Sequence, residues 1–419
     1  MRFIHASDLH IDSPLRGLDR YDGAPVERLR SATRSALERL VDRALAERVD
    51  FLLLAGDIYD RDWQDFHTGL FFRGQMVRLE RAGIRCFIVQ GNHDAQGVIS
   101  RQLTLPSNVT VFSSRAAQTV KLDDLSVAIH GRSFPEREVN EDLVPSYPPP
   151  VSGYFNIGLL HTSLTGRAGH DTYAPTDLPT LVAKGYDYWA LGHVHAREVL
   201  NERPRIVFCG NLQGRHAKET GVKGCELVTV EAGRIEAEFI ARDVVRWSQL
   251  SVPLDGVDRL ESLNEAFARA LEPVLDGTTD RLHAVRVTLT GSTELHRLEA
   301  AQPGTLAAAM HAAAQDIGTA EIWIEQVRLD LSTPLDRARA AQRQDAVGEL
   351  VRLVDTIAGN EQELMRRAQV ELGDLLGAMP AEVTAGDVPR LDDPAELRSL
   401  LMDAEATVLA RLSASGEEA

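Results

Sequence analysis

Five short segments of this sequence each end an apolar run with side chains that can bind a metal ion. They are Ser7-Asp8-Leu9-His10, Gly56-Asp57, Gly91-Asn92-His93-Asp94, Leu160-His161 and Gly192-His193-Val194-His195. Carboxylate, amide oxygen and imidazole favour Mn²⁺, Fe²⁺ or Zn²⁺ over thiolate chemistry. The candidate ligands are Asp8, His10, Asp57, Asn92, His161, His193 and His195. This set exceeds what one tetrahedral ion needs, so the sequence predicts two metal ions, which Asp57 could bridge.

The elements that must hold these side chains can be read from the apolar pattern around them. Strand-like runs occur at residues 3–8, 51–55, 84–90, 127–130, 156–160, 188–191 and 206–209. Residues 26–49, between the first and second runs, carry apolar side chains at roughly helical spacing. Residues 65–82, between the second and third runs, also predict a helix. This alternation predicts an α/β domain whose helices cover the sheet.

Every candidate ligand follows one of these strands, so residues far apart in sequence can meet. The carboxyl ends of the strands in an open α/β sheet lie along one edge, where ligands bind. We expect Asp8 and His10 to point the same way, and likewise His193 and His195, because residues two apart in extended chain share a face. Glycine would let the backbone turn sharply before three ligand positions, at Gly56, Gly91 and Gly192.

The five segments, in this order, resemble the signature of the calcineurin-like metallophosphoesterase superfamily: D-x-H, G-D, G-N-H-D/E, a lone H, then G-H-x-H. The resemblance covers residues 1–215 and implies a four-layer α-β-β-α sandwich, in which two β-sheets are flanked by helices. It implies that one metal ion is held by Asp8, His10, Asp57 and His195. The other would be held by Asp57, Asn92, His161 and His193, and His93 would be the catalytic histidine. The expected cofactors are two divalent ions, Mn²⁺ first, with Fe²⁺ or Zn²⁺ as alternatives.

A narrower resemblance is to the bacterial DNA-repair exonucleases of the SbcD and YhaO type. It rests on residues 8–14 (DLHIDSP), 186–195 (YDYWALGHVH) and 210–216 (GNLQGRH), which look most like the YhaO branch. The resemblance implies a DNA substrate, a small DNA-capping domain after residue 245 and a partner similar to the coiled-coil ATPase SbcC. It leaves a homodimer open.

One position departs from this narrower pattern. Many double-strand-break repair nucleases of the superfamily carry a His three residues after the bridging Asp, whereas this chain carries Asp60 there. His67 could replace that histidine in space, although no spacing argument requires it. The departure weakens the exonuclease prediction and leaves the metal-site prediction intact.

The predicted reaction is hydrolysis of a phosphodiester by a metal-activated hydroxide. His93 is expected to protonate or stabilise the leaving alkoxide, and Asp94 is either its orienting partner or a solvated turn residue. Arg215 and His216 follow the strand at 206–209 and are candidate phosphate contacts. Structural roles are expected for three further histidines, His5, His130 and His170.

The sequence after residue 244 predicts two further parts. In residues 245–333, strands at 247–254, 283–289 and 322–331 alternate with helices at 260–275 and 305–317, which predicts a small α+β domain. Residues 334–419 are rich in helix-forming side chains and read as helical. The predicted division is therefore 1–244, 245–333 and 334–419. An apolar stripe in the last part either packs on the chain's own domain or docks a partner protein; it consists of Val347, Leu350, Val351, Val354 and Ile357.

Composition and charge limit the classes of function. The chain has 419 residues, 44% of them hydrophobic and 26% charged, which is typical of a soluble globular protein with two or three domains. Residues 1–240 carry 28 Lys/Arg against 31 Asp/Glu, and residues 241–419 carry 17 against 31, which together give the net charge of −17. The catalytic part is therefore nearly neutral and lacks the basic excess of a protein that holds DNA unaided. We expect a second subunit to supply part of the DNA affinity.

Other signals are mainly negative. No apolar run has the length of a membrane span, and the first residues lack the apolar stretch of a signal peptide, so a cytoplasmic location is expected. Cys86, Cys209 and Cys225 show no CxxC spacing and are expected to be buried, reduced thiols. Two alternatives to a nuclease stay open: a small-molecule phosphatase or cyclic-nucleotide phosphodiesterase with the same ligands, and a non-catalytic subunit that positions an ATPase on DNA.

Overall fold

A computed structural model gives the fold. It describes residues 1–13, 23–60, 66–95, 103–166, 172–275, 280–318, 320–379 and 391–416. The chain forms two compact units. The first consists of Met1–Ser248 with Asp280–Ala284, and the second of Gln249–Thr279 with Val285–Ala419. The finer division at residues 244 and 333 stays a prediction.

Two six-stranded sheets form the centre of the first unit. The first sheet has the spatial order β12 (Arg234–Ala241), β11 (Gly224–Glu231), β1 (Arg2–Ala6), β2 (Phe51–Ala55), β3 (Arg85–Val89), β4 (Val109–Val111). The second has the order β5 (Gln118–Leu122), β6 (Val127–Gly131), β7 (Phe155–His161), β8 (Tyr188–Gly192), β10 (Arg205–Phe208), β9 (Glu198–Glu202). Strands β1 to β4 are parallel to one another, as are β6, β7, β8 and β10. The parallel strands of each sheet therefore present their carboxyl ends at one edge.

Helices complete the layers. Helix α1 (Val26–Glu47) and helix α2 (Phe66–Arg81) bury their apolar faces on the first sheet. The short helix α3 (Leu178–Ala183) contributes Leu181 to a cluster with Trp189 and Ile206 of the second sheet. The predicted four-layer sandwich is confirmed.

The strand β2 shows why the two sheets stack. Its residues Leu52 and Leu54 pack in the helix-facing cluster, whereas Phe51 and Leu53 pack in the cluster that joins the two sheets. Successive side chains of a strand point to opposite faces, so an unbroken apolar run is buried on both. Each such side chain contributes about 1.5–3 kcal/mol when fully buried. This burial holds the strand ends, and the residues that follow them, in fixed positions.

The second unit contains most of a three-stranded sheet with the order β13 (Val245–Pro253), β14 (Leu282–Ser292), β15 (Glu321–Ser332). Helix α4 (Leu260–Leu275), helix α5 (Leu295–Ala301) and helix α6 (Thr305–Asp316) follow between these strands. Phe267 of α4 and Met310 of α6 are fully buried in one cluster with Val287 and Ile324 of the sheet. The α+β pattern predicted for this region is present.

The chain ends in helices, as the sequence predicts. They are α7 (Arg337–Ala340), α8 (Ala346–Ala358), α9 (Glu361–Gly377) and α10 (Pro394–Gly416). In the stripe on α8, Val351 is buried against Leu409 of α10, and Ile357 is buried against Leu364 and Leu397. The stripe therefore packs on the chain's own helices, with Val347 and Leu350 partly buried, and docking of a partner protein by this region stays a prediction. Among the described helices, none has the length and apolarity needed to cross a membrane.

Candidate metal centre

The strand ends of the two sheets bring the predicted ligands together. Asp8 and His10 follow β1, Asp57 follows β2 and Asn92 follows β3, while His161 ends β7 and both His193 and His195 follow β8. All of them are buried except His195, whose side chain is 15% exposed. Within this set, Asp8, His10 and His195 form one group able to hold a metal ion, and Asp57, His161 and His193 form another.

The backbone at four of these ligands is not extended. Asp8, His10, Asp57 and His193 have φ values of 52°, 42°, 53° and 99°, in the left-handed region. Asp8 and His10 still meet in one group, but the expectation that His193 and His195 point the same way is wrong. His193 joins the group of Asp57, whereas His195 joins the group of Asp8. The positive φ angles turn each loop sharply, and the turns rather than the strand pleat aim the side chains.

In the first group, Asp8, His10 and His195, the atoms that face one another carry lone pairs that a cation could bind. His195 Nδ1 lies 2.7 Å from a carboxylate oxygen of Glu219, so the ring carries its proton there and presents the Nε2 lone pair on the other side. That Nε2 lies 3.2 Å from His10 Nε2 and 3.8 Å from Asp8 Oδ1. Facing imidazole nitrogens at this distance share either a proton or a cation. Burial, followed by the nearby charge of Arg215, lowers the pKa of His10, which favours the neutral form that binds metals.

The second group, Asp57, His161 and His193, fits a cation in the same way. His161 Nδ1 donates to the backbone oxygen of Ala55 at 2.9 Å, so its Nε2 presents a lone pair. That nitrogen lies 3.0 Å from Asn92 Oδ1 and 3.6 Å from Asp57 Oδ2. Three acceptor atoms directed at each other are unfavourable without a positive charge between them. The chemistry of these donor atoms therefore fits a divalent metal.

Asp57 faces both groups with one oxygen. Its Oδ2 lies 3.8 Å from His10 Nε2 and 3.6 Å from His161 Nε2. Its Oδ1 accepts a hydrogen bond from the backbone N–H of His93 at 2.9 Å, which fixes the carboxylate plane. A Cβ added to Gly91 would lie 2.3 Å from that Oδ1, so the loop approaches Asp57 as closely as only glycine allows. The position of Asp57 matches that of a bridging ligand.

His93 pairs with Asp60. The carboxylate Oδ1 of Asp60 lies 2.6 Å from His93 Nδ1, and Ser13 Oγ donates to Oδ2 at 2.5 Å. Burial raises the pKa of Asp60, but the hydrogen bonds to His93 and Ser13 outweigh it and lower the pKa to about 2. The residue that departs from the narrower family pattern is therefore an ionised partner of the proposed catalytic histidine. His67, the suggested replacement, is exposed on α2.

Asp94 has neither of the roles considered for it. It is buried and accepts hydrogen bonds from the backbone N–H groups of Ile58, Tyr59 and Gly91 at 3.0–3.2 Å. Burial and the charge of Asp57 raise the pKa of Asp94 to about 7. Its contacts join the loop after β2 to the loop after β3, so it holds the site together and is not a solvated turn residue.

The two candidate phosphate contacts differ in their surroundings. The guanidinium of Arg215 is largely buried; it binds Glu219 Oε1 at 2.8 Å and lies 3.7 Å from Asp60. The side chain of His216 is 56% exposed. Only Arg215 is packed among the residues of the site.

Sequence reasoning missed Glu219. Its burial raises its pKa, but the hydrogen bond with His195 and the charge of Arg215 outweigh that effect and hold the pKa well below its usual range. A single Glu in a loop has no spacing that marks it. The one available signal is its position four residues after Arg215. Arg215 itself follows a strand that is expected to end at the same edge of the sheet as the ligands.

The other histidines and the cysteines have structural surroundings. His5 is fully buried between Tyr188 Oη and the backbone oxygen of Leu191, each at 3.1 Å. His130 lies 2.8 Å from Thr119 Oγ1 and 3.1 Å from Asn156 Oδ1. His170 lies outside the described residues. The three cysteines are buried free thiols, as predicted.

Two stacked sheets with Asp and His side chains at their carboxyl ends define the metallophosphoesterase class. A family model described as calcineurin-like phosphoesterase matches residues 1–197. A second one, described as metallophosphoesterase YhaO, middle domain, matches residues 247–332.

Three curated relatives place the chain further. The uncharacterized metallophosphoesterase YhaO of Bacillus subtilis (strain 168) is 36% identical over 343 residues, covering 80% of this chain and 82% of the relative. The DNA double-strand break repair protein Mre11 of Methanopyrus kandleri is 25% identical, covering 46% of this chain and 44% of the relative. One component of the nuclease SbcCD of Escherichia coli (strain K12) is 23% identical, covering 57% of this chain and 67% of the relative. The chain belongs to the YhaO family of calcineurin-like metallophosphoesterases.

Proposed function

We propose that this protein is a two-metal phosphodiesterase that degrades DNA from its ends in DNA repair. The observation that carries the proposal is that two groups able to hold a metal ion, Asp8–His10–His195 and Asp57–His161–His193, adjoin each other at Asp57 Oδ2. The His93–Asp60 pair lies beside them. One ion would be held by Asp8, His10, Asp57 and His195, and the other by Asp57, Asn92, His161 and His193. Manganese is the proposed metal, with iron or zinc as alternatives, and the cytoplasm is the proposed location.

When bound, the two ions supply Lewis-acid activation of water and of the phosphate. The protein's own contribution is to move a proton. The Asp60 carboxylate lies against Nδ1 of His93 and stabilises the protonated imidazole, whose Nε2–H then protonates the departing alkoxide and leaves His93 neutral. Arg215, whose charge is compensated by Glu219 and Asp60, is the proposed contact for a non-bridging phosphate oxygen. His216 is a second, exposed candidate for a phosphate further along the strand.

DNA as the substrate is supported by the relatives, whereas the charge indicates that the chain does not bind DNA unaided. Two relatives carry the words nuclease and DNA double-strand break repair in their names. The first 240 residues are nearly neutral, so we propose that a partner similar to the coiled-coil ATPase SbcC supplies further DNA affinity. Residues 334–419 stay the proposed docking region, although Val351, Val354 and Ile357 of the stripe on α8 are buried.

The test is metal-dependent digestion of DNA. The chelated protein is supplied with Mn²⁺ and incubated with end-labelled single- and double-stranded DNA and, in parallel, with bis(p-nitrophenyl) phosphate. Asp57→Asn should abolish both activities, because it removes the ligand that faces both groups. Asp124→Asn, at a carboxylate that is 63% exposed, is the matched control and should retain them.

A second function is favoured by one observation, the presence of Asp60 where related nucleases carry His. It is hydrolysis of a small phosphate ester or diester with the same metal ligands. Cleavage of the chromogenic diester without any digestion of DNA would support this alternative and reject the nuclease.

A further inference from the structure

Glu219 is a buried carboxylate in the loop after β10. Its side chain is 8% exposed, and its backbone N–H donates to the carbonyl oxygen of His216 at 2.9 Å, which closes a tight turn. A Cβ added to Gly214 would lie 2.7 Å from the backbone oxygen of Glu219, so the start of the loop is packed directly against its end. This packing gives the carboxylate a fixed place.

All of the close hydrogen-bond partners of this carboxylate belong to the site or to the loop that forms it. Oε1 accepts from His195 Nδ1 at 2.7 Å and from the Arg215 guanidinium at 2.8 Å. Oε2 accepts from the backbone N–H of Arg215 at 2.8 Å and from Asn211 Nδ2 at 3.0 Å. A carboxylate offers about four lone-pair sites, so these bonds use its full capacity.

The contact with His195 decides which nitrogen of that ring faces the first metal-binding group. Because Nδ1 is held by Glu219, Nε2 is the nitrogen directed at His10 and Asp8. Lys223 Nζ donates to the backbone oxygen of His195 at 2.7 Å and fixes the main chain behind the ring. The tautomer and the direction of the ring therefore both depend on groups outside the metal-binding set.

The contact with Arg215 extends the path to the other side of the site. The Arg215 guanidinium lies between Glu219, at 2.8 Å, and Asp60, at 3.7 Å. Asp60 in turn lies 2.6 Å from His93. Glu219 thus contacts both a metal-facing histidine and the arginine that neighbours the proton-donating pair.

We propose that Glu219 is the positioning residue of this centre: it sets His195 for one metal ion and holds Arg215 for the substrate phosphate. The proposal rests on the proposed two-metal function. It predicts that the charge of Glu219, rather than its bulk, is what the site requires, because all of its partners are hydrogen-bond donors.

The experiment is isothermal titration calorimetry. Wild-type protein and Glu219→Gln, each stripped of metal with a chelator, are titrated with Mn²⁺ alone. Glutamine keeps the shape but turns an NH₂ group toward donors. One of the two Mn²⁺ equivalents should weaken by about 10- to 100-fold, as on loss of a carboxylate that orients a metal-bound histidine, and the other should keep its affinity. Two equivalents with wild-type affinity would overturn the proposal.

Glu226→Gln is the matched control. Glu226 is fully buried and binds Arg197 at 2.5 Å and Arg205 at 3.3 Å, so its loss tests what removing any buried ion pair does. It should keep both Mn²⁺ equivalents. Equal loss of metal affinity in the two variants would reject a specific role for Glu219.

A conservative variant covers the case in which Glu219→Gln does not fold. Glu219→Asp keeps the charge. It should bind the affected Mn²⁺ ion more tightly than the neutral variants that fold, including Glu219→Ala. Equal Mn²⁺ affinities would refute the role of the charge. The Mn²⁺ titrations test the positioning role independently of the assay for phosphodiester cleavage. A wild type that binds two Mn²⁺ ions but cleaves no phosphodiester would reject the function and leave the positioning role to be decided by these titrations.

Discussion

Asp60→Asn is the substitution that addresses the proposed proton transfer most directly. Asparagine has nearly the same shape and can still meet Ser13, but it removes the negative charge 2.6 Å from His93 Nδ1. The protonated imidazole then lacks its counter-charge. We expect kcat to fall and the alkaline limb of its pH profile to move to lower pH, because the donor loses its proton more readily.

The size of the effect follows from the carboxylate itself. The drop in the pKa of Asp60 from 3.8 to about 2 corresponds to about 2 kcal/mol. Burial opposes this drop, and the contacts with His93, Ser13 and Arg215 produce it. If His93 accounts for between half and all of the net value, kcat falls roughly 5- to 30-fold.

The assay should vary the leaving group. A nitrophenolate departs without much help from an acid, whereas the alkoxide of a dinucleotide needs a proton. The loss in kcat should therefore be larger for a dinucleotide than for bis(p-nitrophenyl) phosphate. Mn²⁺ titration checks that the metal sites persist, since His10 Nδ1 lies 3.8 Å from Asp60. An equal loss for the two substrates, with metal binding intact, would refute the reasoning.

Two predictions concern stability. The pKa of His5 is lowered from 6.5 to about 4 by burial, so between these values the unfolded chain binds a proton that the folded chain does not. Protonation of His5 in the unfolded chain therefore lowers the free energy of unfolding as the pH falls below 6.5. About 2 kcal/mol should be lost between pH 7 and pH 5. Denaturant unfolding should show a smaller loss in His5→Gln; an unchanged loss would contradict the assignment. In Gly158→Ala the new Cβ would lie 2.2 Å from the Trp189 ring, and we expect a cost of about 1–3 kcal/mol. Its control, Gly74→Ala on α2, meets nothing within 4 Å and should stabilise by up to about 1 kcal/mol. Thermal melting that ranks the two variants in the opposite order would refute the packing argument.

The parallel strands could be predicted from sequence because their apolar runs are buried on both faces. The run Phe51–Ala55 and the observed β2 have the same bounds. The sequence pattern does not predict the hairpin of β11 and β12. Its turn at Ala232-Gly233 has φ values of 49° and 78°, as in a turn that usually carries Asn-Gly. With Ala in the first position, that local signal is weak.

The residues of the candidate site could be found because each follows a strand, but their mutual contacts could not. Asp60 and Asp94 both lie near His93 in sequence or space, and the loops alone decide which carboxylate meets the ring. Because the backbone is left-handed at Asp8, Asp57 and other ligands, the direction of each side chain depends on the folded loop. Glu219 acts through His195, which is distant in sequence, and through Arg215, which a tight turn brings to it. No sequence pattern therefore marks Glu219.

The left-handed backbone also limits how the metal preference of this site could be redesigned. At Asp8, His10, Asp57 and His193 a replacement must coordinate the new metal and also accept a positive φ. Asp, Asn and His tolerate that conformation better than other non-glycine residues, and they are oxygen and imidazole ligands. A branched or longer side chain there would add roughly 1–2 kcal/mol of strain. A laboratory selection for a softer metal therefore has most freedom at Asn92, His161 and His195, whose backbone carries no such restriction.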